Sequence, residues 1–510
     1  MCDFLSSWGS QIDSVCLNID TIRADHRNRL TIPISSSLVR LSIKESCNNP
    51  VIHFRPETEN ANCQLKTLII PNYSLSIESL LFLSQQCPFL EQLAFSHCSD
   101  WKTNAIFKFP NLLSLRLTQA VPDSLLLELT KSGSLAQVAL KSAGKMALRQ
   151  IAANNPNLSF LDCKIPESAT RHSESESENE SDRKTELDSI ESCLGKLANL
   201  NTLSIKFDSS VTWSTETNLE QQDSDSSLWP NLRSLRLITD FDPANFLLFY
   251  DYFAIPDESG SRFSRLLHSL TFLSLHRVQL DCWISCPVLE EAELSFIYFG
   301  TSASGIVVGP SFRSLKVEDS NTDPRKVILS GEGHPKLRHL RLCIGSLNEN
   351  QADIFTSYLS LFPDLVSLEL SADKYEQNPF YGSQFDYGSM LGQSLGSLCS
   401  LERFKHTPQA ANNCFSLQET TLKTLAEQRK TMITEGKEMA FLEYSIPVGD
   451  EGIMKLDLET EKFAKMKALS HVYDWMRRQG YFKMNLVSQN RQPSPDNCII
   501  IEDNSCFRFV

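Results

Sequence analysis

The chain has no run of about eighteen apolar residues, the length an α-helix needs to cross a bilayer, anywhere in its 510 positions. The opening stretch "MCDFLSSWGSQID" has neither the basic segment nor the apolar core of a secretory signal. Basic residues are in deficit, with 48 Lys and Arg against 62 Asp and Glu and a formal net charge of −14. That balance argues against nucleic acid or an anionic membrane as the main partner, since both require a dominant basic surface. Catalytic signatures are missing too. There is no G-x-x-x-x-G-K-[ST], no G-x-S-x-G, no H-E-x-x-H and no paired C-x-x-C, so phosphate-loop, nucleophile-elbow and zinc chemistry have no anchor. The glycines of "YGSMLGQSLGS" lack the preceding strand that a dinucleotide loop requires. We therefore expect no enzyme activity, no cofactor and no metal. The 15 cysteines are odd in number and scattered, a usage that suits reduced thiols in the cytoplasm or nucleus better than a secreted disulfide framework.

What is present is a repeat. In "CPFLEQLAFSHC", Leu90, Leu93 and Phe95 follow the order apolar-x-x-apolar-x-apolar. The same spacing recurs in "SLVRLSI", "QLKTLII", "NLLSLRL", "SLAQVAL", "NLSFLDC", "NLNTLSI", "NLRSLRL", "SLTFLSL", "VLEEAEL", "SFRSLKV", "KLRHLRL" and "DLVSLEL", with "QIDSVCL" and "SLERFKH" as weaker ends. The first apolar positions of these 15 units are mostly 22 to 28 residues apart, and three successive gaps from Leu90 to Leu158 are 22, 23 and 23. A fixed period of that size is the mark of a solenoid.

The last two apolar positions of a unit share one side of a strand, because side chains alternate. One short strand cannot bury them, but stacked parallel strands merge them into a continuous core. Runs such as "SIESLLFLSQQ", "DSLLLELTKS" and "ADIFTSYLSLF" have helical spacing and are expected to return the chain along the outside. Pro88, Pro110, Pro156, Pro230, Pro287, Pro335 and Pro363 each stand two residues before the first apolar position, where they end a helix and favour extended backbone. Cys87 and Cys98 then fall at a helix end and a strand-to-loop turn, and Cys286 takes the same repeat position as Cys87. All three read as small buried residues.

These units resemble the leucine-rich-repeat family, and "CPFLEQLAFSHC" is similar to the cysteine-containing, ribonuclease-inhibitor-like type in F-box substrate receptors. The resemblance implies an α/β leucine-rich-repeat solenoid, a curved parallel sheet inside and helices outside. It would span residues 1–410 in about 14–15 units. The acidic, serine-rich stretch 166–190 interrupts it and is expected to be disordered; Ser173, Ser175 and Ser177 each precede a Glu by three residues, as acidophilic kinases prefer. Residues 411–510 lose the pattern and are expected to form a helical C-terminal cap and tail, with Phe463, Met466, Leu469, Val472 and Met476 on one side of a helix. Two aromatic segments, Phe246 to Phe253 and Phe380 to Tyr387, are open to either packing or partner binding.

In each unit, the residue between the last two apolar positions points away from the core. These positions read Arg116, Ala139, Asp162, Ser204, Arg236, Ser274, Glu293, Lys316, Arg341 and Glu369, with Arg233, Arg313 and Arg338 just upstream of three of them. Arg116, Arg233, Arg236, Arg313, Lys316, Arg338, His339 and Arg341 are the candidate partner-binding residues. Guanidinium groups on one face suit an acidic or phosphorylated protein segment. By resemblance, the concave surface would select substrates for a ubiquitin ligase. No F-box pattern precedes Ile12, so Skp–cullin machinery enters only if an F-box is missing from the gene model. The alternative is a stand-alone scaffold or inhibitor.

Overall fold

The computed structural model describes residues 14–18, 29–44, 51–56, 63–101, 105–166, 194, 197–207, 230–239, 253–255, 267–280, 283–299, 305–318, 324–329, 336–344, 358–372, 387–407, 424–425, 427–438, 440, 442–448, 482–488, 498–500 and 508–509. The chain divides into two compact units, Met1–Leu270 with Arg277–Cys282, and Thr271–His276 with Trp283–Val510.

In the first unit the strands Ser14–Asn18, Arg40–Lys44, Thr67–Ile70, Gln92–Phe95, Ser114–Leu117, Gln137–Leu140, Phe160–Ile165, Thr202–Phe207 and Ser234–Thr239 each pair in parallel with the next. Sequential parallel pairing without strand exchange is the topology of a solenoid. Leu41, Leu68, Leu93, Leu115, Val138, Leu161, Leu203 and Leu235 stand in register across it, and none is more than 2% exposed. The apolar repeat is thus one buried ladder. At about 25 cal/mol per Å² of apolar surface, each fully buried leucine contributes roughly 1.5–3 kcal/mol.

Return limbs are helical at Ile77–Gln86, Asp123–Thr130 and Lys145–Asn154. Ser76 caps the first helix, its hydroxyl accepting from the Ser79 N–H at 3.2 Å. The second unit has a return helix at Tyr387–Ser397, and several other return limbs are short strands. Arg29–Ile34, Val51–Pro56 and Ser74–Leu75 form a second parallel sheet, as do Trp283–Cys286, Gly305–Val308 and Val327–Leu329 in the second unit. Segments such as "RLTIPI", "GIVV" and "VIL" are rich in β-branched residues, which lose rotamer freedom in a helix and pack well on a pleated surface. Of "ADIFTSYLSLF", only 358–359 are described as helical.

The turns that re-enter the main sheet carry a side-chain ladder. Asn111 Nδ2 donates to the Pro88 carbonyl at 2.9 Å and Asn231 Nδ2 to that of Ala198 at 3.0 Å. Ser134 and Ser269 hydroxyls donate to Leu112 and Leu232 carbonyls, each at 2.8 Å. These bonds satisfy carbonyls that the turn leaves outside the strand ladder. Gly309 serves the same turn by its missing side chain, since a Cβ there would stand 1.9 Å from the Pro287 oxygen.

The second unit repeats the arrangement with Phe272–His276, Glu291–Ser295, Ser314–Val317, His339–Ile344, Ser367–Ala372 and Arg403–Thr407 in parallel. Beyond residue 410 the expected helical cap is replaced in part by more sheet. Leu442–Val448 and Phe482–Ser488 continue the parallel order, and Cys498–Ile500 and Arg508–Phe509 add antiparallel strands. Residues 427–434 are helical, and Arg429 from this segment is 1% exposed. Its guanidinium donates to the Ala440 carbonyl at 2.6 Å and the Leu401 carbonyl at 3.1 Å. Burial pushes its pKa down to about 10. The helix expected over 460–476 lies outside the described residues, as do the acidic stretch from 167 to 190 and most of both aromatic segments.

Candidate functional site

Alternation along the strands sends one set of side chains to the core and the other to solvent. In the first unit Ala94, Arg116, Ala139, Asp162, Ser204 and Arg236 stand in register on the solvent side. Arg116, Asp162 and Arg236 are exposed. Four strand steps of about 4.8 Å separate the two arginines, with Asp162 between them. They do not form one cluster. Arg233 precedes its strand, and its backbone N–H donates to the Asn201 carbonyl at 2.8 Å.

In the second unit the corresponding row is Ser274, Glu293, Lys316, Arg341, Glu369 and Lys405. Its charges are mixed, with a glutamate on either side of the Lys316–Arg341 pair, and neighbours pair. Lys316 Nζ lies 3.5 Å from Glu293 and 2.7 Å from Glu318. Glu369 takes Lys405 at 2.9 Å and Arg341 at 3.9 Å through one oxygen. Partial burial works against the Glu318 charge, but the hydrogen bond and charge of Lys316, with Arg341 and His276 beyond, hold its carboxyl below the usual carboxylate range. Lys316 is therefore already neutralised, and Arg341 shares a carboxylate.

Arg313 and Arg338 occupy a different row, at the leading margin of the sheet. The Arg338 N–H donates to the Arg313 carbonyl at 2.8 Å, so the two residues sit side by side, each just before one of two paired strands. Both are exposed, as are Lys336 and His339, and neither arginine has an ion pair among the described residues. Glu290 flanks this margin on one side, its carbonyl accepting from the Arg313 N–H at 2.8 Å. Glu402 lies on the other side, two strand steps from Arg338, through the Val366 and Glu402 amides. His339 faces Ser314 and Ser367 across the register. The structure thus separates the eight candidates: Arg313, Arg338, His339 and Arg341 gather on, or just before, two adjacent strands, Lys316 is spent on glutamates, and Arg116, Arg233 and Arg236 belong to the first unit. Spacing along the chain carries only part of this sorting: Glu318 is two residues from Lys316, but the cross-strand glutamates lie 23 and 36 residues from their lysines.

Two serine–histidine contacts were not singled out by sequence. Ser76 Oγ lies 3.2 Å from His53 Nδ1, and Ser74 Oγ 3.0 Å from His97 Nδ1. At His53 the carboxylate of Glu78 approaches the same ring nitrogen at 4.0 Å. A nucleophile–base–acid relay needs the serine and the carboxylate on opposite nitrogens. Ser76 is, moreover, committed to capping its helix.

Cys87 is 1% exposed at the end of the Ile77–Gln86 helix, and Cys98 is buried next to a bridge with Leu75. Cys286 repeats the Cys87 turn: Leu90 and Leu289 N–H groups donate to the Cys87 and Cys286 carbonyls at 3.1 and 3.2 Å. Among the described residues no cluster of three His, Cys, Asp or Glu side chains could hold a metal ion, and no helix is long and apolar enough to cross a membrane.

No family profile matches the chain. An Arabidopsis thaliana protein described as an F-box/LRR-repeat protein is 30% identical over 86 residues, which is 17% of this chain and 18% of that protein. The chain thus matches less than a fifth of that relative's length. The similarity agrees with a parallel-sheet solenoid.

Proposed function

We propose that the chain is a non-catalytic leucine-rich-repeat protein that binds another protein through the solvent face of its main sheet, in the cytoplasm or nucleus. The observation that carries this reading is the exposed basic group of Arg313, Lys336, Arg338 and His339 where two neighbouring strands begin, at the leading margin of that face. Its occupant is an acidic or phosphorylated segment, because planar guanidinium forks pair carboxylate and phosphate oxygens two at a time. Selection of substrates for a ubiquitin ligase is the finer reading, supported by the name of the Arabidopsis relative. A stand-alone scaffold or inhibitor is the alternative, because the match reaches only 18% of that relative.

The test is affinity capture with the tagged full chain and with Arg313→Glu/Arg338→Glu. The double variant is expected to lose the partner, and raised salt to mimic the loss. A partner retained by the variant removes the assignment to this face. Co-purification of a Skp-type adaptor would favour the ubiquitin reading; a retained partner without the adaptor would favour the scaffold or inhibitor.

A further inference from the structure

We infer that Cys63 and Cys87 form an oxidative modification site, at which a peroxide-class oxidant joins the two thiols into a disulfide that closes one complete rung. The Cys63 N–H donates to the Gln86 carbonyl at 2.8 Å, which lays Cys63 beside Cys87. Neither is in a disulfide, and each is 1% exposed. The two thiols act on each other: the neighbouring Cys87 thiol draws the Cys63 pKa down against the effect of burial, and Cys63 together with burial pushes Cys87 up. These directions favour Cys63 as the attacking sulfur. No second thiol is among the groups that shift the other buried cysteines. Cys98 sits against the Asp100 backbone, and burial pushes Cys163 and Cys286 up to about 12.

The chemistry balances with hydrogen peroxide as oxidant. The Cys63 sulfur attacks one peroxide oxygen; an S–O bond forms, the O–O bond breaks, and the departing hydroxide takes a proton to become water. Cys63 is then a sulfenic acid. The Cys87 sulfur attacks it, the S–S bond forms, the S–O bond breaks, and the hydroxide leaves with the Cys87 proton as a second water. Two thiols are oxidised and one peroxide is reduced to two waters. Near-complete burial favours a small oxidant over a bulky disulfide such as glutathione.

The closed loop would hold the strand Thr67–Ile70 and the helix Ile77–Gln86. Cys87 caps that helix, its N–H donating to the Leu83 carbonyl at 3.0 Å. Cross-linking therefore fixes the helix end to the start of its own rung and restrains local opening.

The test treats the reduced full chain with hydrogen peroxide, blocks remaining thiols, and maps peptides without reductant. A Cys63–Cys87 linked peptide that dithiothreitol releases is expected. Amide exchange across 77–86 should slow at least about tenfold on oxidation. Cys63→Ser and Cys87→Ser should each abolish the slowing, and Cys98→Ser should keep it. The linked peptide is read on the unsubstituted chain, so a variant that fails to fold leaves the test intact. Cys63 driven to sulfinic acid beside an alkylated Cys87, or both thiols left alkylatable, would overturn the inference.

Discussion

Replacing Asn155 by alanine is expected to destabilise its rung by about 2–5 kcal/mol, although the side chain touches no candidate binding residue. Asn155 is fully buried. Its Nδ2 donates to the Thr130 carbonyl at 3.1 Å and the Ile151 carbonyl at 2.9 Å, and its Oδ1 accepts from the Leu135 N–H at 3.1 Å. The Ile151 carbonyl keeps a second donor, the Asn155 backbone N–H at 3.0 Å. Truncation therefore deprives chiefly two buried groups, the Thr130 oxygen and the Leu135 N–H. Each buried orphan costs about 1–3 kcal/mol. The entropy regained by removing one short side chain offsets less than about 1 kcal/mol. Because a solenoid unit contacts only its neighbours, the loss should concentrate locally. Amide exchange should accelerate over 123–163 in native conditions while 387–407 stays unchanged, and the urea midpoint should fall. Asn155→Asp retains the acceptor but turns a carboxylate toward two carbonyl oxygens. It should be worse at pH 7 than near pH 3, where the acid is largely protonated in the unfolded chain as well. A loss below about 1 kcal/mol for alanine, or a uniform change in exchange, would refute the reasoning.

Two glycines separate steric need from backbone need. Gly309→Ala forces a methyl against the Pro287 backbone, 1.9 Å from its oxygen, and should shift the rung and lower the melting temperature by several degrees. Gly436 has φ +79° with open space around it, so Gly436→Ala should cost only about 1–2 kcal/mol of conformational strain. Equal melting shifts for the two would contradict the geometry. At the charged row, Lys316→Met should return the Glu318 titration toward the ordinary carboxylate range, measurable by NMR. The folded Glu318 pKa is depressed, so its small stabilising increment is present above the unfolded carboxylate pKa and is lost as pH falls through the folded one. Both side chains are partly exposed, at 29% and 46%, so the increment should stay below about 1 kcal/mol. The variant should show a flatter acid limb; an unchanged Glu318 titration would remove the pairing.

The ladder from Leu41 to Leu235 was legible because a buried strand leaves its signature in contiguous residues, two apolar positions separated by one. The return limbs were less so. A rung needs only something apolar to cover its outer side, and "IESLLFLSQQ" does this as a helix where "GIVV" does it as a strand. The strands after residue 410 escaped notice because Leu442–Val448 and Phe482–Ser488 carry neither the preceding proline nor the unit spacing. The face was half legible. Alternation gave which residues point outward, yet apart from Glu318, two residues beyond Lys316, their neutralisation depends on partners one strand away, which sequence separation hides. Lys316 and Arg341 look like Arg313 and Arg338 in the chain, and only the register tells them apart.

That register yields a test in the opposite direction from charge reversal. Glu369 holds both Arg341 and Lys405 through one oxygen. Glu369→Gln keeps the shape and leaves both cations uncompensated, on the strand next to the Arg338 cluster. If the face attracts acidic segments, its positive potential should rise and extend by one or two strand spacings. Removing one charge at about 8–10 Å is worth about 0.4–0.5 kcal/mol at the water limit and more beside a protein surface, so binding of a phosphoserine–glutamate peptide should tighten about two- to fivefold at low salt. The gain should vanish at high ionic strength, where such distances are screened. Fluorescence anisotropy with the phosphorylated peptide, its unphosphorylated form and a lysine-substituted control reads all three expectations. If Glu369→Gln weakens the acidic peptides, the carboxylate itself contributes to the docking surface, and the partner must bring a cation to meet it.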